Sequence, residues 1–317
     1  MRQFLILTAL FIAVFLTFTA GAQEPSPPLP PSIEPPPSML PASPSPASPP
    51  YQLQVKGTAT QGKALFVTVA GTSKDHRGEC SWRGKKYALI FQGKGLSALI
   101  PVALDCPAGG YTLKITVTAP GSGTPATLTR VIRTSAQTYG VQYLRLPESQ
   151  LSKYEDPQAE KDNAEIHRAL SYNTPGITWE RSFIVPTRGY VSTLFGLKRF
   201  YNDDKEPEFH RGQDIAASWG EPVKASQKGI VRFAKKNLVL HGTAVVIDHG
   251  KGIGTLYIHM ASMKVRAGDS VEQGQVIGTV GATGVATGPH LHFAAYAHDE
   301  PISPALLYKL PADFLGR

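Results

Sequence analysis

Cysteine is scarce in this 317-residue chain, with only Cys80 and Cys106 present. No C-x-x-C spacing or adjacent histidine pair accompanies them, which excludes a thiolate metal site. Both lie in the N-terminal half, where an oxidising compartment is expected to pair them and close a stabilising loop. No cysteine follows the expected leader cleavage point after Ala22, so a lipoprotein anchor is not expected. Beyond Phe18 no stretch is long and apolar enough to span a bilayer. Acidic residues are few between Tyr51 and Ser135, where 11 Lys and Arg stand against 3 Asp and Glu. The formal excess of +8 for the chain therefore resides in that stretch, and it favours anionic partners such as wall polymers or a membrane surface.

The N-terminus is informative. Arg2 precedes an almost unbroken apolar run from Phe4 to Phe18, and Ala20-Gly21-Ala22 supplies the small-x-small pattern of a cleaved export signal over residues 1–22. Residues 23–50 are about half proline with serine and alanine. Such a segment cannot bury a core and is expected to form an extended spacer.

From Tyr51 the pattern changes. Tyr51–Val55, Ala64–Val69, Tyr87–Phe91 and Tyr111–Val117 read as strands, with Gly57, Gly62, Gly84, Gly109 and Gly110 among the turn signals. Residues 51–135 are thus expected to form an immunoglobulin-like β-sandwich, with His76 solvated in a turn. Residues 136–180 read as a connector carrying a helix that starts at Asp156-Pro157, with His167 on its surface. Residues 181–310 again read as glycine-punctuated strands, followed by a tail over 311–317. The fold expected for the whole is mainly β.

Seven of the nine histidines fall from His210 onward. His210-x-x-x-Asp214 and His290-Leu291-His292 are weak patterns individually, but strand geometry puts residues two and four apart on one face. His210 and Asp214 would then align with Gly212 as an empty slot between them. Two imidazoles and one carboxylate suit zinc and leave a further coordination position for water. Either His290 or His292 satisfies this spacing; the other, together with His259 in Thr255–His259, is free for proton transfer. His241, His249 and His298 are expected to be structural or exposed.

The motifs resemble the LytM/lysostaphin family of zinc peptidases. The resemblance is carried by Phe195-Gly196, Lys198-Arg199 and Asn202, by His210–Asp214 and by Gly220–Ala225. It continues through Val246–Gly250, Tyr257–His259, Gly268–Val271, Gly274–Gly278 and Gly284–Phe293, in the family's order. It implies a LytM-type β-sheet or barrel-sandwich catalytic domain over 181–310. It further implies Zn2+ held by His210, Asp214 and His292, with His290 and His259 activating water, and peptidoglycan as substrate. Gly-Gln-Asp stands at 212–214 where the family usually has Gly-Val/Ile-Asp, and Tyr201 is a weaker candidate oxyanion donor. The implied location is the periplasm or cell envelope. Two rivals are a non-enzymatic LytM-like activator of wall amidases, which would lack part of the His/Asp set, and a biotinyl-carrier-like domain, which leaves the histidines unexplained.

The basic stretch carries its own prediction. A fragment spanning residues 51–135 should co-sediment with peptidoglycan at low salt and be released as ionic strength approaches about 0.1 M, where screening acts within ~10 Å. Pelleting across a salt series checks this.

Overall fold

Leu113, Ile115 and Val117 alternate with Thr112, Lys114 and Thr116, so one face of this segment is buried and the other polar. The same logic runs through the β region that the computed structural model places first. The structure describes residues 50–177, 179–202, 205–311 and 314. The expected export signal, nearly all of the proline-rich spacer and most of the tail lie outside them.

Seven antiparallel strands come first: β1 (Gln52–Gly57), β2 (Ala64–Ala70), β3 (Arg77–Trp82), β4 (Lys85–Phe91), β5 (Leu96–Pro101), β6 (Gly109–Thr118) and β7 (Ala126–Thr134). They are hydrogen-bonded in the order β1-β2-β5-β4-β3-β6-β7. The first five residues of β4 pair with β3 and its last two pair with β5, so the ladder turns about β4. Both arms feed one core containing Leu65, Val67, Trp82, Leu113 and Ile115.

Three of these strands, β3, β5 and β7, were not legible as alternating segments. In β5 all six residues are buried, so no alternation exists to be read. Gly109 and Gly110 open β6 rather than forming a turn. The expected disulfide is absent: Cys80 and Cys106 are free thiols packed in this core as small apolar side chains. Bridging demands a particular backbone separation and Cβ orientation, which sequence does not reveal. Burial, aided by Glu79, pushes the Cys80 thiol up to about 12. His76 is half-buried rather than solvated, its Nδ1 lying 3.0 Å from the Ser73 amide.

The connector holds more structure than its sequence suggested. It contributes β8 (Val141–Leu144), a single helical turn α1 (Glu148–Leu151) and α2 (Pro157–Leu170). As expected, Asp156 caps α2, its side chain accepting from the Gln158 amide at 2.8 Å, and Pro157 occupies the first turn.

The remaining strands are β9 (Tyr190–Thr193), β10 (Lys198–Tyr201), β11 (Glu208–Phe209), β12 (Gln213–Ala216), β13 (Pro222–Lys224), β14 (Gly229–Leu238), β15 (Gly242–Asp248), β16 (Ile253–Met263), β17 (Ser270–Val271), β18 (Val276–Val280), β19 (His290–Ala297) and β20 (Glu300–Ile302). Ten of them form one barrel-like sheet along β17-β14-β15-β16-β19-β12-β9, with β18 joining β13 to β16 and β20 beside β19. Its two faces bury different cores. Ile215, Val245, Ile247, Tyr257, Leu291 and Phe293 line one. On the other, Val246, Leu256, Ile258, Ala294 and Tyr296 receive Ile166, Ala169 and Leu170 of α2. A small separate sheet pairs β10 with β11 and, in parallel, with β8 of the connector.

The two β regions share a third core. Ala64, Phe66 and Leu99 pack with Trp179, Phe183, Ile302, Leu307 and Phe314. Lys85 pairs with Glu300 at 2.9 Å, and Lys251 sits 4.1 Å above the Trp179 ring while donating to the Phe314 carbonyl. His298, expected to be exposed, lies edge-on to Tyr87 at 5.0 Å in this junction.

His249 is wholly buried behind the sheet; its Nδ1–H donates to the Lys228 carbonyl and its Nε2 meets Thr255 Oγ1 at 2.7 Å. Burial lowers both His249 and His298 from the ordinary 6.5 to about 4. Between these values the unfolded chain binds protons that the folded chain refuses, so stability falls as pH drops from 6.5 towards 4. Thermal melts should show the midpoint falling by roughly 5 °C or more across that window.

Candidate metal centre

Antiparallel pairing of β12 with β19 sets Asp214 opposite His292 and Ala216 opposite His290. Ile215 and Leu291, one residue out of phase, point into the opposite core. Pleat alone therefore brings the carboxylate and two imidazoles onto one face. His210 does not share a strand with Asp214, as the sequence had suggested, because β12 begins only at Gln213. A backbone clasp holds His210 instead: its amide donates to the Leu197 carbonyl and its own carbonyl accepts from Gly196, each at 2.8 Å.

His210 Nε2, Asp214 Oδ1 and His292 Nδ1 form a close triangle. The separations are 3.0 Å from His210 to Asp214, 2.9 Å from His210 to His292 and 2.8 Å from His292 to Asp214. Gly212 lies against the third vertex. A Cβ there would fall 2.6 Å from His292 Nε2 and 2.7 Å from the Phe293 carbonyl, so the slot expected beside Gly212 holds the His292 ring.

His259 reaches the site by a different route. Ile258 pairs with His292 on the cleft side, so strict alternation would send His259 into the opposite core. A register shift between β15 and β16 breaks the alternation, and His259 adopts φ +62°. Bulges and left-handed non-glycine residues re-aim side chains in this way at a local energetic cost. Here the conformation is held by the His259 amide donating to the His241 carbonyl and by its Nδ1–H donating to Thr283 O. The His259 ring lies 4.8 Å from that of His290 and 6.2 Å from that of His292.

Proton placement follows from these carbonyl contacts. A carbonyl only accepts, so the Nδ1–H of His210 donates to Leu194 O, that of His259 to Thr283 O and that of His290 to Gly288 O. In the neutral ring each then presents the lone pair of Nε2. Burial, reinforced by the neighbouring His290 and His292, keeps His259 well below 6.5. Burial likewise lowers His292 to about 4, against the pull of Asp214. For Asp214 burial opposes ionisation, but the His210 and His292 imidazoles set against the carboxyl outweigh it and hold it well below its usual range.

An ionised oxygen therefore faces the His210 lone pair at 3.0 Å, with at most the His292 proton to share between them. A divalent cation resolves that conflict, and a donor set of two nitrogens and one oxygen fits zinc. Arg199 completes the surroundings, donating to Asp214 Oδ2 at 2.7 Å and to Gln142 Oε1 at 3.1 Å.

The cluster opens into a cleft of about 1050 Å³ that also takes in His259, His290 and Tyr201. Residues 208–304 match peptidase family M23. The chain carries an M23 peptidase domain. Part of it is 44% identical over 95 residues to the DD-carboxypeptidase/endopeptidase Mpg of Neisseria meningitidis serogroup B, covering 30% of this chain and 22% of that protein. Another relative, the peptidoglycan DD-endopeptidase ShyA of Vibrio cholerae, is 34% identical over 135 residues, covering 42% of this chain and 31% of that one. The chain thus aligns with less than a third of either relative's length. A crystal structure from Pseudomonas aeruginosa assigned to peptidase M23 superposes with a TM-score of 0.60 at 25% identity. It covers 80% of this chain and 96% of that one, so the likeness reaches beyond the M23 segment.

Three features of the M23 domain's site were missed in the sequence. Arg199 was noted only as part of a motif, and no local pattern links it to Asp214. His241, read as an ordinary turn residue, is tied by Nε2 to Asn163 Oδ1 of α2 at 2.7 Å while its carbonyl supports His259. The cleft wall itself comes partly from the connector, through residues such as Gln142, Tyr154 and Glu160, and none of its lining residues belongs to β1–β7.

The Gly212 contact generates a prediction. Gly212→Ala should push the His292 ring out of the triangle and press on the Phe293 main chain, weakening zinc retention by about 10- to 100-fold, the usual effect of disturbing a ligand's support. Competitive chelator titration of the purified protein measures it.

Proposed function

We propose that this protein is a zinc-dependent endopeptidase that hydrolyses peptide cross-links or stem peptides of bacterial peptidoglycan. The observation that carries the proposal is the meeting of His210, Asp214 and His292 in a mutual triangle beside two further imidazoles in one open cleft. The name of the Vibrio relative, a peptidoglycan DD-endopeptidase, supports wall peptide as the substrate, and that of the Neisseria relative supports peptide hydrolysis. On this reading the export signal and proline-rich spacer place the enzyme in the envelope. Residues 51–135 form an immunoglobulin-like module that can attach to anionic wall polymers.

The roles divide by geometry. His210, Asp214 and His292 would hold the metal, which supplies Lewis acidity towards a carbonyl and acidifies water when bound. Arg199 fixes the second oxygen of Asp214, so the carboxylate presents Oδ1 to the cluster. His290 and His259 have their Nδ1 protons anchored to backbone carbonyls, leaving Nε2 available to take a proton from water and return it to the leaving amine. The low proton affinity of His259 keeps that nitrogen unprotonated at neutral pH. Protonated transiently, either imidazole would also offer a donor to the developing oxyanion.

Substitution separates these roles. His210→Ala and His292→Ala should lose zinc, read by atomic emission. His290→Ala and His259→Ala should keep it yet slow release of peptide products from purified peptidoglycan by about 10²-fold or more. Full activity of His290→Ala with zinc retained would sink the mechanism, and an intact protein that releases nothing but stimulates an amidase would sink the enzyme reading.

A further inference from the structure

His259 and His290, the two imidazoles beside the triangle, are both aimed by the loop between β18 and β19. Within it Thr283 O accepts the His259 Nδ1–H and Gly288 O accepts that of His290, each at 2.8 Å. The main chain of His259 needs support as well. A φ of +62° is unfavourable for a residue with a Cβ and persists only where the surroundings hold it. That hold is its amide, which donates at 3.0 Å to the His241 carbonyl in the turn at residues 239–241, between β14 and β15.

Turn and loop lean on each other. The Val285 amide donates to the Leu240 carbonyl at 2.8 Å, and the Thr243 amide to Thr283 Oγ1 at 2.9 Å. A Cβ on Gly242 would overlap Thr283, and one on Gly284 would overlap the Leu240 carbonyl, so a shift of the turn is passed to the loop. What holds the turn is α2. The buried Asp162 carboxylate accepts from the Val239 amide at 2.9 Å through Oδ2, while its Oδ1 accepts from Gln158 Nε2 at 2.8 Å. One residue on, Asn163 Oδ1 accepts from His241 Nε2–H at 2.7 Å. Successive residues of one helix thus grip both ends of the turn, and Ile166, Ala169 and Leu170 fix that helix to the sheet.

We infer that Asp162 and Asn163 are positioning residues for a proton-handling histidine. Helix α2, which lies outside the matched M23 segment, holds the turn whose carbonyl keeps His259 left-handed and its ring beside His290. The inference rests on the peptidase reading above for the part that His259 plays in turnover. Released from the turn, the main chain at His259 relaxes towards the extended region, and strand alternation then draws the ring away from His290. His210, Asp214 and His292 are held by the Leu197 and Gly196 main chain and by the β12–β19 pairing, so the clamp acts on rate and not on metal retention.

The test compares variants of the full-length mature protein, loaded with zinc, on soluble cross-linked peptides prepared from peptidoglycan. Asn163→Ala removes the acceptor at a half-buried helical position where alanine favours the helix, so the fold is kept. It should retain zinc and lower kcat about tenfold or more with KM changed less than about twofold, because a misaimed acid–base group forfeits part of its ~10²- to 10⁴-fold contribution. Asn163→Asp, which keeps an acceptor facing His241, should recover most of the loss. Glu165→Gln, which loosens the pairing of the same helix with Lys235 of β14 but touches neither turn nor loop, should leave kcat unchanged. A second readout is independent of turnover: nitrogen NMR spectra should show the His259 ring as a single Nδ1–H tautomer in the unaltered protein and as averaged tautomers in Asn163→Ala. Undiminished kcat in Asn163→Ala, a rise in KM alone, no recovery in Asn163→Asp, an equal loss in Glu165→Gln or an unchanged His259 spectrum each overturns the inference. If the unaltered protein cuts no wall peptide, the peptidase reading fails and the spectra decide the clamp. A changed His259 ring in Asn163→Ala then upholds it, and an unchanged one overturns it.

Discussion

The structure turns on the antiparallel register of β12 against β19. With Asp214 opposite His292, the pleat sends both side chains to the cleft and sends Ile215, Leu291 and Phe293 to the core beneath. A slip of one residue would exchange these sets, burying charge and exposing the hydrophobic residues. The apolar burial that stabilises the sheet and the geometry that gathers the ligands are thus one constraint. The close fit of Gly212 under the His292 ring shows how little room that register leaves.

Around this rigid pair the remaining groups are supplied by departures from regularity. His210 sits in a clasp before its strand, and His259 sits on a bulge with a left-handed backbone. In both cases the imidazole is oriented by an Nδ1–H donated to a main-chain carbonyl, which selects the tautomer as well as the direction of Nε2. Backbone carbonyls are dependable for this purpose because they cannot act as donors.

The connector joins these elements into one body. β8 extends the small sheet through β10, whose Arg199 holds Asp214, and α2 covers the face of the large sheet beside His292. The N-terminal β region is joined through a shared apolar core around Trp179 and Phe314, none of whose residues lines the cleft.

Sequence by itself determined a great deal here. The apolar run of Ala64–Val69, the alternation in Tyr111–Val117, the Asp156-Pro157 start of α2, and the close spacing of His290 and His292 are local properties, read within a few residues. The candidate ligands could be named from such spacings and from the resemblance they support. Other features depend on partners distant in the chain and leave no local trace. Those are the free state of Cys80 and Cys106, the fully buried β5, the pairing of Arg199 with Asp214, the burial of His298 against Tyr87, and the packing of α2 beside the cluster. His259 marks the boundary most clearly. Its identity was legible, but strand periodicity points its side chain into the wrong core, and only the register shift imposed by neighbouring strands turns it towards His290.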